Sequence, residues 1–496
     1  MPPPPAASTP AARRVWAASD AATAAALASG EGRGGGGPHP LSPSTPPPPL
    51  LSIRAAYGPA ASVLLTGGTG YVGSVVLERL LRCTACPRIT LLIRPKAGVA
   101  AAARVHSLLT RPLFAACHPA AAAGRVSVLE GDLTAPRLGL ASTEWARLTG
   151  VGAGAGGPSP PSPPLTHIIH AAASISFTAP VHALLAQNYD ATAAVLGLAR
   201  ACAASLVSFV HVSTAYVQAH RPRGSLVAEE PAEVGLGEVE EEGEAGGGEG
   251  GPAAAAPPHA RLAARLAAAS PADAEAAVRR VLASTGLPNA YCLTKHLAEC
   301  LVAEEAGRSP PPRTFGLAIV RPTIVAALSG RAPHPAAVGY VGNAAGFTSV
   351  FLAYALGLVM YTCHRPHSIF DLVPGDVVAS VILAAGAAAG EEGVRGGGGG
   401  DGGEGGETPR RPLIFHAASS TTNPITLIDL MLAVNTYVEV SGREREREGE
   451  RTPWSARRPT PARRRRPGRP PPRRRPRRWR ARREREERGR EEEARV

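Results

Sequence analysis

The chain has 496 residues with a formal net charge of +13, and 44% of its residues are hydrophobic. Residues 443–496 contain 23 arginines and 10 acidic residues, so they carry the whole excess of charge, while residues 1–442 balance 30 basic against 30 acidic side chains. Such a tail could bind nucleic acid or an anionic membrane electrostatically, but we expect no specific nucleic-acid partner.

The first predicted elements are a strand, a glycine-rich turn and a helix. Val63-Leu64-Leu65 is an apolar run, and apolar residues recur at helical spacing from Val75 to Leu81. The glycines between them suit a pyrophosphate cradle, with Gly67 in the tight turn, Gly70 at a close backbone approach and Gly73 at a helix contact. We predict cofactor contacts from Thr66, Gly67, Gly70, Tyr71, Val72 and Gly73. A turn without a ligand is the alternative, because the chain has 55 glycines.

A second apolar run, Ile89–Ile93, ends in two cations. Arg94 and Lys96 lie where an acidic residue would hold the ribose 2′-hydroxyl of NAD, whereas a cation accommodates the 2′-phosphate of NADP. The sequence therefore predicts NADPH as the cofactor. The alternative is a solvated strand end, which fits Lys96 better than Arg94.

Further strands are predicted at 125–129, 167–170, 206–212 and 317–320, with helical stretches between them, notably Pro180–Cys202. This alternation predicts an α/β fold with a doubly wound parallel Rossmann sheet that binds its ligand at the carboxyl ends of the strands. The loops after two strands supply four more candidate cofactor contacts: Asp132, Leu133, Ala171 and Ala172.

The candidate catalytic residues are a phenol, an ammonium and two hydroxyls. Tyr291 and Lys295 lie one helical turn apart, and a neighbouring positive charge can lower the pKa of a phenol toward the range of a general acid. Only two lysines occur in the chain, Lys96 and Lys295, which argues against a filler role. Ser213 and Thr214 follow a predicted strand, and we favour Thr214 as the group that polarises a substrate oxygen. The alternatives are a surface pair on an amphipathic helix and hydroxyls that only close a strand.

Two helices are predicted around these residues. Ser270-Pro271 suits a helix start and Gly286 a helix end, and the next helix carries Tyr291 toward Gly307.

The segment Ala332–Cys363 carries no charged residue apart from His334. Phe347–Met360 is strongly apolar, but glycines interrupt the segment, and we expect helices that line a pocket for an apolar ligand and contact a membrane from one side. A transmembrane span is the alternative.

One reductase domain is predicted over residues 61–440, with its substrate-binding part mainly at 326–440. Low-complexity composition predicts surface inserts at 150–164, 221–258 and 386–411, a disordered or targeting segment at 1–60, and a disordered arginine-rich tail at 443–496. The tail is either inert, not truly coding, or a contact for anionic surfaces.

Seven scattered cysteines indicate a reducing intracellular compartment. Cys83 and Cys86 form a CxxC pair without a second pair or a histidine cluster, so we expect a packing role and no metal site. The compartment stays open between the endoplasmic reticulum, the peroxisome and a plastid.

Together these residues resemble the extended short-chain dehydrogenases and, within them, the alcohol-forming fatty acyl-CoA reductases. The resemblance covers about residues 61–435 and rests on Leu64–Gly73, Leu91–Lys96, His170–Phe177, Asn188, Val212–Tyr216, Tyr291–Lys295, Val320–Ile324, Asp371–Pro374 and Asn423–Thr426. The Arg-Pro-Lys after the second strand and the 77-residue separation of Thr214 from Tyr291 resemble this branch more than sugar epimerases or flavonol reductases.

The resemblance implies that NADPH reduces a fatty acyl-CoA thioester to an aldehyde, with release of CoA, and then reduces the aldehyde to a primary alcohol. Tyr291 would protonate the oxyanion, Lys295 would hold the nicotinamide ribose and lower the phenol pKa, and Thr214 or Ser213 would orient the carbonyl. Pro322 and Ile324 would line the nicotinamide side.

Two other interpretations stay open at this point. One is another extended dehydrogenase that acts on a sugar, a steroid or a flavonoid, and the other is a nucleotide-bound scaffold without turnover. The family usually continues into a helical carboxyl-terminal domain, and the arginine-rich tail departs from that pattern, which leaves the second reduction open.

Overall fold

The computed structural model describes residues 52–117, 124–150, 164–236, 256–308, 315–329, 338–342, 347–356, 367–397 and 411–447, with the single residues 122, 358 and 365. The predictions for residues 1–51, for most of the insert at 150–164 and for the tail beyond Arg447 lie outside these residues.

Eleven strands are present in the described part of the chain: β1 (Ser62–Thr66), β2 (Arg88–Ile93), β3 (Val126–Glu130), β4 (His167–His170), β5 (Ser208–Val212), β6 (Gly316–Pro322), β7 (Ile324–Ala326), β8 (Ile369–Phe370), β9 (Leu372–Pro374), β10 (Leu413–Ala417) and β11 (Ile425–Thr426). Seven of them form one sheet in the order β10-β6-β5-β4-β1-β2-β3, and every neighbouring pair is parallel. The strand order reverses between β1 and β4, where open α/β sheets bind ligands at their carboxyl edge. The predicted doubly wound parallel sheet is confirmed.

Twelve α-helices are described: α1 (Ile53–Ala56), α2 (Tyr71–Cys83), α3 (Ala101–Leu109), α4 (Ser142–Thr149), α5 (Val181–Leu184), α6 (Ala191–Ala201), α7 (Pro258–Ala268), α8 (Pro271–Thr285), α9 (Ala290–Gly307), α10 (Phe347–Ala355), α11 (Gly375–Gly397) and α12 (Leu427–Arg447). A π-helical turn, Leu185–Asp190, joins α5 to α6, so the helix predicted at Pro180–Cys202 is present but carries an irregular turn in its middle.

Local capping explains where the helix with the candidate phenol begins. The Ser270 hydroxyl accepts a hydrogen bond from the Asp273 amide at the start of α8, and Gly286 ends α8 with a φ of 73°. The Asn289 side chain then caps α9 by accepting from the Cys292 amide at 2.9 Å. Since a cap satisfies an amide that the first turn leaves unpaired, this sequence fixes Tyr291 in the first turn of α9.

Helices cover both faces of the sheet. On one face, α2 and α11 pack on alternate strand residues such as Val63, Val210 and Ala318. On the other face, α6 and α9 pack on the intervening residues, including Leu64 and Phe209. A third apolar cluster joins α7, α8 and α9. Burial on both sides explains why the strands read as continuous apolar runs.

A smaller part lies beyond β6. It contains the parallel pair β7–β9, the antiparallel pair β8–β11, and helices α10 and α12. Among the residues that the structure describes, no helix combines the length and apolar character that crossing a membrane requires.

Two predicted inserts need correction. Residues 386–397 continue helix α11, and Ala387 and Ala389 are buried, because small side chains let this helix approach β6 closely. In the insert predicted at 221–258, Leu236 is buried and the Glu230 carbonyl accepts from Arg321 at 2.9 Å. Residues from Pro258 onward form α7. Low-complexity composition therefore misplaced the limits of both inserts.

The cysteines of the described residues are all free. The Cys86 thiol is buried and donates to the carbonyl oxygens of Ala61 and Arg88 at 3.5 and 3.2 Å. These bonds give Cys86 the structural role that the sequence predicted for the CxxC pair.

Candidate active site

Tyr291 and Thr214 meet at the carboxyl edge of the sheet. The Tyr291 side chain is buried, and the Thr214 side chain lies close enough to its hydroxyl to lower the pKa of the phenol. Thr214 directly follows β5, whereas Tyr291 comes from the first turn of α9, which packs against that end of the sheet. The structure thus brings together two of the four predicted catalytic side chains.

Thr214 also has structural bonds. Its hydroxyl accepts from the Tyr216 amide at 3.3 Å, which caps a 3-10 turn at Ala215–Gln218, and it lies 3.5 Å from the Pro322 carbonyl oxygen. The Ser213 hydroxyl is buried and has no hydrogen-bond partner among the described residues. The contact with Tyr291 therefore belongs to Thr214, the residue that we favoured from the sequence.

Burial is the largest influence on the pKa of the Tyr291 phenol. It raises the pKa of Tyr291 to about 12, although the neighbouring Thr214 side chain acts in the opposite direction. The expectation that Lys295 lowers this pKa is not met in the structure, because the Lys295 ammonium is engaged elsewhere. At neutral pH Tyr291 is a protonated donor, which is the form that a general acid needs.

Lys295 is buried below the same edge. Its ammonium donates to the Val212 carbonyl oxygen at 2.6 Å and lies 3.3 Å from Nε2 of His211. Burial lowers the pKa of Lys295 to about 8, and the Glu299 carboxylate one turn further along α9 opposes this shift. A buried lysine with these bonds is a fixed part of the site, not a surface side chain.

Asn188 is a site residue to which the sequence analysis gave no role. It lies in the π-helical turn, where its Oδ1 accepts from the Ser174 amide at 2.8 Å. Its Nδ2 donates to the Thr294 hydroxyl at 3.0 Å, next to Lys295. A π-turn leaves no trace in hydrophobic periodicity, so only the resemblance had singled out this residue.

A pocket lies over the carboxyl ends of β1, β2, β3 and β4. Eight residues predicted to bind the cofactor line it: Gly67, Gly70, Arg94, Lys96, Asp132, Leu133, Ala171 and Ala172. Other residues that line the pocket were not predicted as cofactor contacts, among them Thr69, Arg104, Thr134 and Gln187. Residues at the carboxyl ends of four neighbouring strands thus line a single groove, as a dinucleotide site in a doubly wound sheet requires.

The glycine turn fits a dinucleotide. Gly67 has a φ of +71°, and a Cβ there would lie 2.6 Å from the Ala171 carbonyl carbon, while a Cβ on Gly73 would lie 2.2 Å from the Gly67 oxygen. Gly70 caps α2, and no side chain hydrogen bond caps this helix, so the amides of its first turn can bind an anion. Gly73 contacts the turn itself, which differs slightly from the predicted helix-on-strand contact.

Three cations surround the groove beyond β2. They are Arg94, Lys96 and Arg104, all of which line the groove. Arg104 belongs to α3, and its Nη2 donates to the Thr69 hydroxyl at 3.2 Å. The Asp132 carboxylate lies 3.9 Å from Arg94 and accepts from the Thr134 amide and hydroxyl at 3.0 and 2.8 Å. Arg104 lies eight residues after Lys96 on a short helix. A charged residue at such a position in the sequence would be taken for a solvent-exposed side chain, so the sequence did not reveal its place at the groove.

Six predicted cofactor residues are absent from this pocket's lining: Thr66, Tyr71, Val72, Gly73, Pro322 and Ile324. Thr66 is buried and bonded to Nδ1 of His170 at 2.8 Å. The Tyr71 hydroxyl donates to the Ala326 and Tyr340 carbonyl oxygens at 2.8 and 3.2 Å, so its side chain ties α2 to the smaller part of the fold. Pro322 adjoins Thr214 through its carbonyl oxygen, on the side of Tyr291.

The groove and the phenol are joined by residues 171–177. Ala173 lines the groove, and the Phe177 ring packs on the Tyr291 ring with 5.7 Å between centroids. Ile175 and Phe177 are 64% and 68% exposed, so apolar side chains flank the buried phenol at the surface. A ligand that runs along this edge would pass from the glycine turn to Tyr291.

The fold and the site define a dinucleotide-binding domain of the extended short-chain dehydrogenase class. The model of the male sterility protein family, an NAD-binding family, matches residues 65–382, and the chain belongs to this family. A nicotinamide dinucleotide is accordingly its class of cofactor.

Known proteins similar to the chain agree with the resemblance seen in the sequence. Fatty acyl-CoA reductase 1 of Gallus gallus is 27% identical over 373 residues, covering 74% of this chain and 59% of that protein. Fatty acyl-CoA reductase 1 of Homo sapiens is 27% identical over 374 residues, with the same two shares. The chain therefore spans about three fifths of the length of these relatives.

Among solved structures, the terminal R domain from the myxalamid PKS-NRPS biosynthetic pathway matches with a TM-score of 0.46 and 22% identity, covering 74% of this chain and 66% of that chain.

Proposed function

We propose that the chain reduces a long-chain fatty acyl-CoA thioester to a fatty aldehyde with NADPH, releases CoA, and reduces the aldehyde further to a primary alcohol. The observation that carries this proposal is the buried Tyr291–Thr214 pair beside the groove above the glycine turn. The similarity to fatty acyl-CoA reductases supports the acyl-CoA substrate.

NADPH, when bound, supplies the hydride that adds to the carbonyl carbon. Tyr291 would then give its proton to the developing oxyanion and take up another from solvent before the next turnover. The Thr214 hydroxyl, which lies next to the phenol, would orient the carbonyl oxygen by donating its single proton to it. The buried ammonium of Lys295 keeps a positive charge one helical turn below the phenol and would hold the nicotinamide ribose. The same acid can serve both reductions, because each hydride transfer produces an oxyanion. In the first reduction the protonated product is a thiohemiacetal, which then collapses: its C–S bond breaks, CoA leaves as the thiol with the proton of the hydroxyl, and the aldehyde forms.

The preference for NADPH is supported by charge. Arg94, Lys96 and Arg104 gather around the end of the groove where a ribose 2′-phosphate would lie. The one carboxylate among the described residues that line the groove, Asp132, accepts from Thr134 through Oδ1 and has Arg94 3.9 Å from its Oδ2. Among these residues a 2′-phosphate would therefore meet three cations and a single carboxylate that already faces one of them.

The acyl chain is proposed to leave the site over Ile175 and Phe177. The Phe177 ring packs on Tyr291, Ile175 lies two residues earlier in the same exposed loop, and an acyl chain would bury both side chains. The pocket for an apolar ligand expected from 332–363 falls largely outside the described residues, which in this segment are 338–342, 347–356 and 358. Among these, Val350, Leu352 and Leu356 lie on the surface.

Contact with a membrane surface is proposed for the apolar pair α10 and α12. The Tyr354 hydroxyl of α10 donates to Asn435 of α12 at 3.2 Å, and the two helices expose Val350, Leu352, Leu356, Ile428, Leu432, Tyr437 and Val440. An arginine-rich stretch follows α12 in the sequence, which favours an anionic lipid surface as the partner. Cosedimentation with anionic vesicles, but not with neutral ones, is the expected result, and loss of this binding in Leu352→Glu/Leu432→Glu tests the surface.

Oxidation of NADPH measured with palmitoyl-CoA, and then with the matching aldehyde, tests the catalytic proposal. Reduction of both compounds supports the full sequence, and reduction of the thioester alone would restrict the activity to aldehyde formation. Turnover only with a sugar, steroid or flavonoid would indicate another dehydrogenase. Nucleotide binding without any turnover would indicate a scaffold.

A further inference from the structure

A row of polar side chains crosses the middle of the sheet on the face covered by α6 and α9. Thr66, His170 and His211 are register partners on β1, β4 and β5, and all three are buried. Their strand neighbours two residues earlier are Leu64, Ile168 and Phe209, which belong to the apolar cluster of that face. Polar groups at such positions need partners, because burial without them costs free energy.

His170 has a partner on each ring nitrogen. Its Nδ1 lies 2.8 Å from the Thr66 hydroxyl, and its Nε2 lies 3.2 Å from the Thr192 hydroxyl of α6. The His170 and His211 rings are tilted by 36° with 5.5 Å between their centroids. His170 is thus explained by local packing and hydrogen bonding, whereas His211 is not.

His211 has one partner, the ammonium of Lys295 at 3.3 Å from Nε2, and its Nδ1 is buried with no partner among the described residues. Burial and the adjacent Lys295 charge hold the pKa of His211 well below its usual value, so its ring is neutral. A neutral ring that faces an ammonium must accept through Nε2, which leaves its proton on Nδ1. The unpaired N–H on the far side of the ring is the cost of presenting an acceptor to Lys295.

The other groups around the ammonium do not replace this contact. The Glu299 carboxylate is held by Arg321 through two bonds of 2.9 and 2.7 Å. His170 bonds Thr66 and Thr192 through its two ring nitrogens, and it too is neutral, since burial and Lys295 lower its pKa to about 3. The remaining hydrogen bond of Lys295 goes to the Val212 carbonyl oxygen.

We propose that His211 is a positioning residue that fixes the ammonium of Lys295 below the carboxyl edge of the sheet by accepting a hydrogen bond through Nε2. It acts on the reaction only through Lys295, and in that respect the inference rests on the proposed function. Its effect on Lys295 itself is independent of turnover.

The two lysines of the chain make a direct test feasible. Protein labelled with 13C at the lysine ε-carbon gives two signals, from exposed Lys96 and buried Lys295, and Lys96 serves as an internal control. We expect the Lys295 signal of the unsubstituted protein to titrate near pH 8. In His211→Leu the midpoint should fall by about one pH unit or more, because a hydrogen bond to a charged group favours the charged form.

Matched amide variants separate positioning from packing. His211→Gln can place its Oε1 near the site of Nε2 and should restore the Lys295 midpoint, whereas His211→Asn reaches only the site of Nδ1 and should not. In each variant the fall of kcat/KM at high pH should move with the Lys295 midpoint. The unfolding temperature shows whether each variant is folded, and if His211→Leu is not, the comparison of Gln with Asn decides.

An unchanged Lys295 midpoint in a folded His211→Leu protein, or equal midpoints in the Gln and Asn variants, would overturn the inference. If the unsubstituted protein reduces no acyl-CoA but the Lys295 midpoint still depends on residue 211, the proposed function fails and the positioning role stands.

Discussion

Removal of Arg321 should destabilise the protein strongly. Arg321 and Glu299 are both buried and form two hydrogen bonds of 2.9 and 2.7 Å between β6 and α9. A third bond of 2.9 Å joins Arg321 to the Glu230 carbonyl oxygen. In Arg321→Met the Glu299 carboxylate would remain buried without its partner, and breaking a buried ion pair in this way costs about 3–5 kcal/mol.

That loss is a large fraction of the about 5–15 kcal/mol by which domains are usually stable. For a domain of about 380 residues, with an unfolding entropy of about 2.1 cal/mol/K per residue, it corresponds to a fall in the unfolding temperature of about 4–6 °C. Thermal unfolding followed by far-UV circular dichroism measures it.

Two controls give this prediction its specificity. Arg147→Met removes a partner from Glu144, but these side chains are 36% and 42% exposed, so we expect a loss of at most about 1 kcal/mol. Replacing both members of the buried pair, in Arg321→Met/Glu299→Leu, should recover most of the stability. An Arg321→Met protein no less stable than Arg147→Met would refute the reasoning.

Three further predictions concern the site. Burial places the pKa of Lys295 near 8 and that of Tyr291 near 12. In a pH profile, kcat/KM for reduction should therefore be flat below pH 8 and fall above it, because the Lys295 ammonium loses its proton. The Lys295→Met protein should not show this fall. In steady-state assays Arg104→Ala should raise the KM for NADPH by about tenfold or more, because a charge-assisted contact is worth about 1.5–3 kcal/mol. The KM for NADH should stay unchanged, and equal changes for both nucleotides would contradict this prediction. Gly67→Ala should abolish NADPH binding in calorimetry, since its Cβ would lie 2.6 Å from the backbone at Ala171, whereas the exposed-loop control Gly224→Ala should bind normally.

Much of the fold could be predicted because its signals are local. Apolar runs marked six of the seven strands of the sheet but not the edge strand β10, and the Ser270 cap and Gly286 placed the limits of α8 correctly. The glycine turn was recognisable because backbone geometry at Gly67 tolerates no side chain. These features depend on residues close together in the sequence, which is why they could be read without the structure.

Other features could not be predicted because they depend on partners distant in the sequence. Arg104 joins the groove only when α3 folds against the turn at Thr69. The alanine- and glycine-rich end of α11 has the composition of a surface insert, yet its small side chains permit close packing on β6. The lysine contact of His211 exists only because α9 covers β5.

The most direct test of the account is NADPH oxidation by the Tyr291→Phe protein with palmitoyl-CoA. The substitution removes one buried hydroxyl, and loss of a general acid lowers the rate by about 10²–10⁴-fold. We predict such a fall in kcat with NADPH affinity preserved in calorimetry. Full thioester reduction by Tyr291→Phe would contradict the central claim that this phenol protonates the substrate oxygen beside the nucleotide groove.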